Sequence, residues 1–200
     1  MKNIQFNQTR FDLNKYGFNT SKDFNCLISS IKSKNNILSH VEKNIMETFG
    51  HIYLVNQYVF KKIEKLNLLL HEGFINQENE YFESDFTILG TMLDICVFKI
   101  KSPSEFRDPL CLSIEELELK LAVQLQKLIN FSNSAPSNYA NNYITEIKII
   151  PGIKLDVYQL IFFGMKHTRH HLNQIKTFLR IDNILDHEEV LDIDVLNRIE

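Results

Sequence analysis

Apolar residues recur at three- and four-residue steps along much of the chain, and the runs that carry them predict helices. The strongest run lies between about Ile37 and Leu70. There Ile45, Phe49, Ile52, Val55, Val59, Ile63 and Leu66 mark one stripe, the spacing of a helix with a single buried face. Gly73 stands where a C-terminal cap is expected. A weaker run from about Asp23 to Ser33, carried by Cys26, Leu27 and Ile31, predicts a first helix that "SKNN" interrupts. The first twenty residues are polar and aperiodic, and read as an arm laid over the surface.

Residues 75–112 break the helical pattern. "FTILGTMLDICVFKI" is apolar and partly β-branched, and the two prolines of "KSPSEFRDP" forbid a continuous helix. The segment reads as a long ordered crossover with room for short extended pieces, and a connection of that length in a compact domain is usually functional or covers a site. "LSIEELELKLAVQLQKLINF" restarts a helix, with Ser113 as N-cap and Glu116 completing a capping box. Residues 131–153, rich in Ser, Asn and Pro, form a second long connection with one strand expected at "TEIKII". A last long helix is expected from about Leu155 to Arg180, followed by a charged tail, "DHEEVLDIDVLNRIE". Four helical segments joined by long crossovers predict an all-α, four-helix bundle. Residues 1–200 form one domain in this reading, with its core over about 20–182.

Composition narrows the function. At 200 residues and 44% apolar content the chain is long enough to bury a core of its own. A net charge of −3 and scattered Lys and Arg disfavour nucleic-acid binding. The N-terminus has no apolar signal region, and no stretch is long enough to span a bilayer. Cys26, Cys96 and Cys111 are odd in number and widely spaced, which predicts buried reduced thiols in a cytoplasmic protein.

Chemistry enters with "HTRHHLNQI", residues 167–175. At about 100° per residue, Val157, Leu160, Ile161, Gly164, Thr168, Ile175, Phe178 and Leu179 gather on one arc of the last helix. His167 and His171 fall on that arc and His170 beyond its edge, while Lys166, Arg169, Lys176 and Arg180 take the opposite side. Imidazoles at i and i+4 on one face can share a divalent ion. A buried pair without such an ion needs other hydrogen-bond partners, because each unsatisfied nitrogen costs about 1–3 kcal/mol. A hydrogen-bonded core pair and a metal site therefore stand side by side. A third ligand has to come from another helix. His71 sits at a helix end, His40 at a helix start and His187 in the charged tail, whereas His51 lies mid-helix on the flank of the apolar stripe. His51, His167 and His171 make the best triad.

Three segments together are similar to the DinB/YfiT superfamily, a group of bacterial four-helix-bundle metalloenzymes: "FGHIYLVNQYVFKKI" with His51, "KIKSPSEFRDP" in the crossover, and "MKHTRHHLNQI" with His167, His171 and Gln174. The resemblance runs from roughly residue 20 to 182. Its most specific part is the mid-helix His combined with H-x-x-x-H-x-x-Q, and the run of Pro103, Phe106 and Pro109 adds weaker support. The resemblance implies a divalent metal, nickel or zinc, held by His51, His167 and His171 with open positions for water or substrate. It also implies a small-molecule substrate, with low-molecular-weight thiols such as bacillithiol or mycothiol used in some branches, and a homodimer by family habit. No further motif places the chain in a thiol-using branch.

Three neutral imidazoles leave the ion's charge undiminished and a position open, as in catalytic rather than structural sites. The expectation is a metal-dependent transferase or hydrolase, with a noncatalytic metal- or ligand-binding stress-response bundle as the competing reading. Gln174 is a candidate for orienting water or substrate, or else a surface amide. Tyr58 is expected to pack rather than reach the site, and none of Asp85, Glu105 and Asp108 in the crossover is singled out as a general base.

Overall fold

The structure, a computed structural model, describes residues 2–34, 39–71, 84, 86–87, 112–135, 145–146 and 154–181. Its helices are α1 (Lys2–Ser33), α2 (Ser39–His71), α3 (Ile114–Ser134) and α4 (Val157–Ile181). Thr145–Glu146 (β1) and Lys154–Leu155 (β2) pair antiparallel, Thr145 opposite Leu155. The expected all-α bundle is the observed architecture. Most of the two connections, and with them Gly73, Asp85, Cys96, Glu105, Asp108, Cys111 and His187, lies outside the described residues.

The N-terminal segment differs from its expected form. It is no surface arm: α1 begins at Lys2 and buries Thr9, Leu13, Gly17, Thr20, Phe24, Leu27 and Ile31. These positions step by four and three without interruption, a helical stripe by geometry. Three of the first four are Thr or Gly, so the stripe is invisible to an apolar count. At Gly17 the backbone of α1 comes close to its neighbours. A Cβ there would lie 2.7 Å from Ile129 Cγ1 and 2.8 Å from Met165 Cε. Cys26 is exposed, contrary to the expectation of a buried thiol, because it sits beside the stripe.

Local signals fix the helix ends. Ser113 Oγ accepts from the Glu116 amide at 3.2 Å and Glu116 Oε2 accepts from the Ser113 amide at 2.8 Å, the expected capping box. A second reciprocal cap, not read from the sequence, opens α4. Asp156 Oδ1 accepts from the Gln159 amide at 2.8 Å, Gln159 Oε1 accepts from the Asp156 amide at 3.0 Å, and Ser84 Oγ donates to Asp156 Oδ2 at 2.7 Å.

Helices α1 and α2 each pack against both α3 and α4. The apolar interior falls into two main clusters. One joins Val55, Val59 and Ile63 of α2 with Leu128 of α3 and Leu160, Ile161 and Met165 of α4. The other joins Phe24 and Leu27 of α1 with Ile45, Phe49 and Ile52 of α2, Leu121 and Leu125 of α3, and Leu172 and Ile175 of α4. Between them, buried polar side chains line up at one level: Thr20, Asn56, Gln124, His167 and Thr168. Within this belt Asn56 Nδ2 donates to Thr168 Oγ1 at 3.2 Å and Gln124 Nε2 donates to the Tyr53 carbonyl at 3.2 Å.

Candidate metal centre

The helical repeat of α4 carries His167 and His171 onto the side that faces α2, and His51 meets them from mid-α2. His167 Nε2 lies 3.2 Å from His51 Nε2 and 3.1 Å from His171 Nε2. The ring centroids are 4.4–5.0 Å apart, and one ligand nitrogen from each ring lies within 4.8 Å of the others. His167 is buried, while His51 and His171 are half-buried. The three residues singled out from sequence are thus brought together.

Around them the remaining candidates sort differently. Gln174 lines the edge of the triad and bonds to two histidines. Its Oε1 accepts from His171 Nδ1 at 2.7 Å, and its Nε2 lies 3.0 Å from His170 Nε2. With its Nδ1–H donated to Gln174, a neutral His171 turns the lone pair of Nε2 toward the other two rings. His170 therefore touches the amide that holds His171. Tyr58 packs against the core cluster, as expected. His40 is exposed at the start of α2, and His71 closes that helix.

Burial pushes the His167 imidazole well below its ordinary pKa, and the neighbouring His171, His51 and His170 add to the shift. Burial also takes His171 down to about 3, reinforced by His51 and opposed by the bond to Gln174. Both rings are neutral at physiological pH. Neutrality creates a hydrogen-bond deficit. His171 Nε2 carries a lone pair, and His167 Nε2 faces two ring nitrogens but can hold at most one proton. At most one of the two close N···N contacts can therefore be a full hydrogen bond. If His167 Nε2 is itself the deprotonated nitrogen, its proton sits on Nδ1, which is buried without a partner. A single cation accepting all three lone pairs removes the deficit. Nitrogens bound tetrahedrally at 2.0–2.1 Å lie about 3.3 Å apart. Two of the three spacings are already close to that value, so the donor set fits a divalent ion.

A cleft of about 330 Å³ opens beside the triad, lined by Asn44, Glu47, Thr48, His51, His171, Gln174 and Phe178. His51 and His171 face this cleft, whereas His167 is not in its wall. Sequence reading missed the wall residues of α2. Their signal was available: Asn44, Glu47 or Thr48, and His51 repeat at three, four and seven residues and so share a face. Phe178, counted with the apolar arc, is 38% exposed at the rim.

The side of α4 opposite the cleft carries the cations that the helical wheel sets there, Arg169, Lys176 and Arg180. Helix α1 packs against it, with Lys176 buried and Arg169 Nε 3.0 Å from Asp23 Oδ2. No described helix is long and apolar enough to cross a membrane.

No curated protein and no solved structure matches the chain. The family model of the DinB superfamily matches residues 39–175, a span that holds α2, the crossover, α3 and all three histidines. With more than half of its length in that match, and with the helical bundle and histidine cluster in place, the chain belongs to the DinB superfamily.

Proposed function

We propose that the protein is a divalent-metal-dependent enzyme that acts on a small molecule in the cleft between α2 and α4. The observation that carries this reading is the convergence of the three histidines, with Nε2 contacts of 3.1 and 3.2 Å, at the wall of an open cleft. His51, His167 and His171 would hold the ion, nickel or zinc by the nature of the family. A divalent ion in that position supplies Lewis acidity toward a small polar substrate.

The chain's own residues define the remaining roles. His167, sealed behind the other two rings, anchors the set. Gln174 holds His171 in the tautomer that offers Nε2. Glu47, one helical turn before His51, is the acidic side chain of the cleft wall, and its carboxylate can accept a proton from a ligand seated there. A carboxylate at the cleft wall supports an enzyme over a passive metal-binding bundle, although Glu47 also lies 3.9 Å from Lys43. Transfer to or from a low-molecular-weight thiol and hydrolysis are the two reaction classes that suit such a site, in a cytoplasmic protein that pairs with a second copy of itself.

Elemental analysis of the purified protein tests the metal. One equivalent of nickel or zinc in the wild type, absent from His167→Ala, supports the site. A wild type without metal, and without a gain in thermal stability on adding either ion, sinks it. Conjugation assays with bacillithiol, glutathione and coenzyme A then separate transfer from hydrolysis. A loaded protein inactive in both, with Glu47→Gln indistinguishable from wild type in ligand binding, returns the molecule to the binding-bundle reading.

A further inference from the structure

On the seam between α1 and α4, charge does not balance. Arg169, Lys176 and Arg180 follow one another by seven and four residues, which places them on one face of α4. Among the described residues α1 sets one carboxylate, Asp23, against these three cations, and it is already engaged with Arg169. Tyr16 of α1 occupies the other side of Arg169, with the guanidinium 5.4 Å from its ring centre. Lys176 is 7% exposed, and among the described residues neither its Nζ nor the buried Arg180 Nε has a hydrogen-bond partner. Two donors four residues apart therefore lack acceptors in a region already in positive excess.

A buried ammonium in that state is costly, and the site shows the strain. Burial lowers the pKa of Lys176, with Asp23 and Arg169 pulling in opposite directions. Water could take the N–H groups but would leave the charge uncompensated. A small oxyanion does both, since its oxygens offer several lone pairs and charge-assisted bonds to ammonium and guanidinium are the strong kind. Arg180 as a whole is half-buried, so part of its side chain meets solvent at the C-terminal end of the seam, while Lys176 Nζ and Arg180 Nε lie just beneath.

We propose that the α1–α4 seam is a binding site for a small oxyanion of phosphate, sulfate or carboxylate type, held by Lys176 Nζ and Arg180 Nε with Arg169 at its margin. The site is separate from the histidine cluster, on the opposite side of the same helix, and does not depend on the metal reading.

Titration calorimetry with inorganic phosphate, on the full chain stripped of metal and on His167→Ala, tests it. The expected result is one saturable site in both proteins, weakened at least about tenfold by Lys176→Met and by Arg180→Gln, as befits loss of a bond to a charged group. Lys61→Met, at an exposed position on α2, is expected to leave the affinity unchanged. Sulfate and acetate run in parallel show which oxyanion the seam prefers. Circular dichroism confirms that the Lys176 variant folds, with Lys176→Gln as the second variant if the Met form does not. Absence of saturable binding in the wild type overturns the proposal. So does wild-type affinity in the folded Lys176 variant, an equal loss in Lys61→Met, or binding that disappears with His167.

Discussion

At the scale of single residues, the histidine cluster separates side chains that differ only in the direction they face. His167→Ala is expected to abolish stoichiometric metal, because it removes the ring both partners contact at 3.1 and 3.2 Å. His170→Ala is expected to retain it, since His170 reaches the set only through the Gln174 amide. Loss of metal in His170→Ala would show the assignment of the three ligands to be wrong. Gln174 gives a finer test. Removal of an outer hydrogen-bond partner of a ligating histidine costs about 10–100-fold in metal affinity. Gln174→Met should fall in that range, measured by competition with a chromogenic chelator. Gln174→Glu should remain near wild type, because a carboxylate oxygen still accepts from His171 Nδ1. Equal affinities for the Met and Glu forms would mean that the 2.7 Å bond does not govern the ring.

At the scale of elements, helix α1 depends on closeness rather than apolar bulk. Its buried stripe passes through Gly17, where an added Cβ meets Ile129 and Met165 at under 3 Å. Gly17→Val is expected to destabilise by about 1–3 kcal/mol through overpacking, seen as a lower urea midpoint with unchanged slope. A neutral outcome would mean that α1 sits further from α3 and α4 than described. For α4 the corresponding point is its cap. Asp156→Ala removes acceptors from both the Gln159 amide and Ser84, and should cost about 1–2 kcal/mol. Thermal denaturation of that variant beside Gln159→Ala would show whether the cap acts as a reciprocal pair.

At the scale of the whole molecule, the buried neutral histidines set a pH dependence of the metal-free protein. Their folded-state pKa values lie below the ordinary histidine value, at about 3 for His171 and lower than usual for His167. The unfolded chain therefore binds more protons in the window from about 6.5 down to about 3, and stability falls as pH drops through it. Urea midpoints of chelator-treated protein at pH 7.0, 5.5 and 4.5 should decline steadily, and the decline should flatten when His167 and His171 are both replaced by Ala. A wild-type midpoint constant across this range would contradict the burial of these rings.

The same scale shows what could be read from the chain beforehand. The stripes of α2 and α4 and the Ser113 cap are legible because Ile, Val, Leu and Phe repeat along them, and because a capping box is a local code. The three histidines are legible because helical spacing fixes which of them share a face. Thr9, Gly17 and Thr20 hid the first half of α1, since small and hydroxyl side chains bury without registering as apolar. Helical spacing shows that Asn44, Glu47, Thr48 and His51 share a face, but that this face opens as a cleft depends on how far α2 and α4 stand apart, a tertiary distance that no periodicity encodes.

The polar belt has a consequence for how the protein opens. The two apolar clusters divide between Ile52 and Val55 on α2 and between Met165 and Leu172 on α4, while both helices continue across the boundary. Each half-core can then loosen with its own free energy, because segments with separate buried contacts open as separate cooperative units. Amide hydrogen exchange should divide α2 into two rate classes that meet near His51 and Asn56. A cation gripped by His51 on one helix and by two successive turns of the other would join the halves, and the two classes should then merge into one.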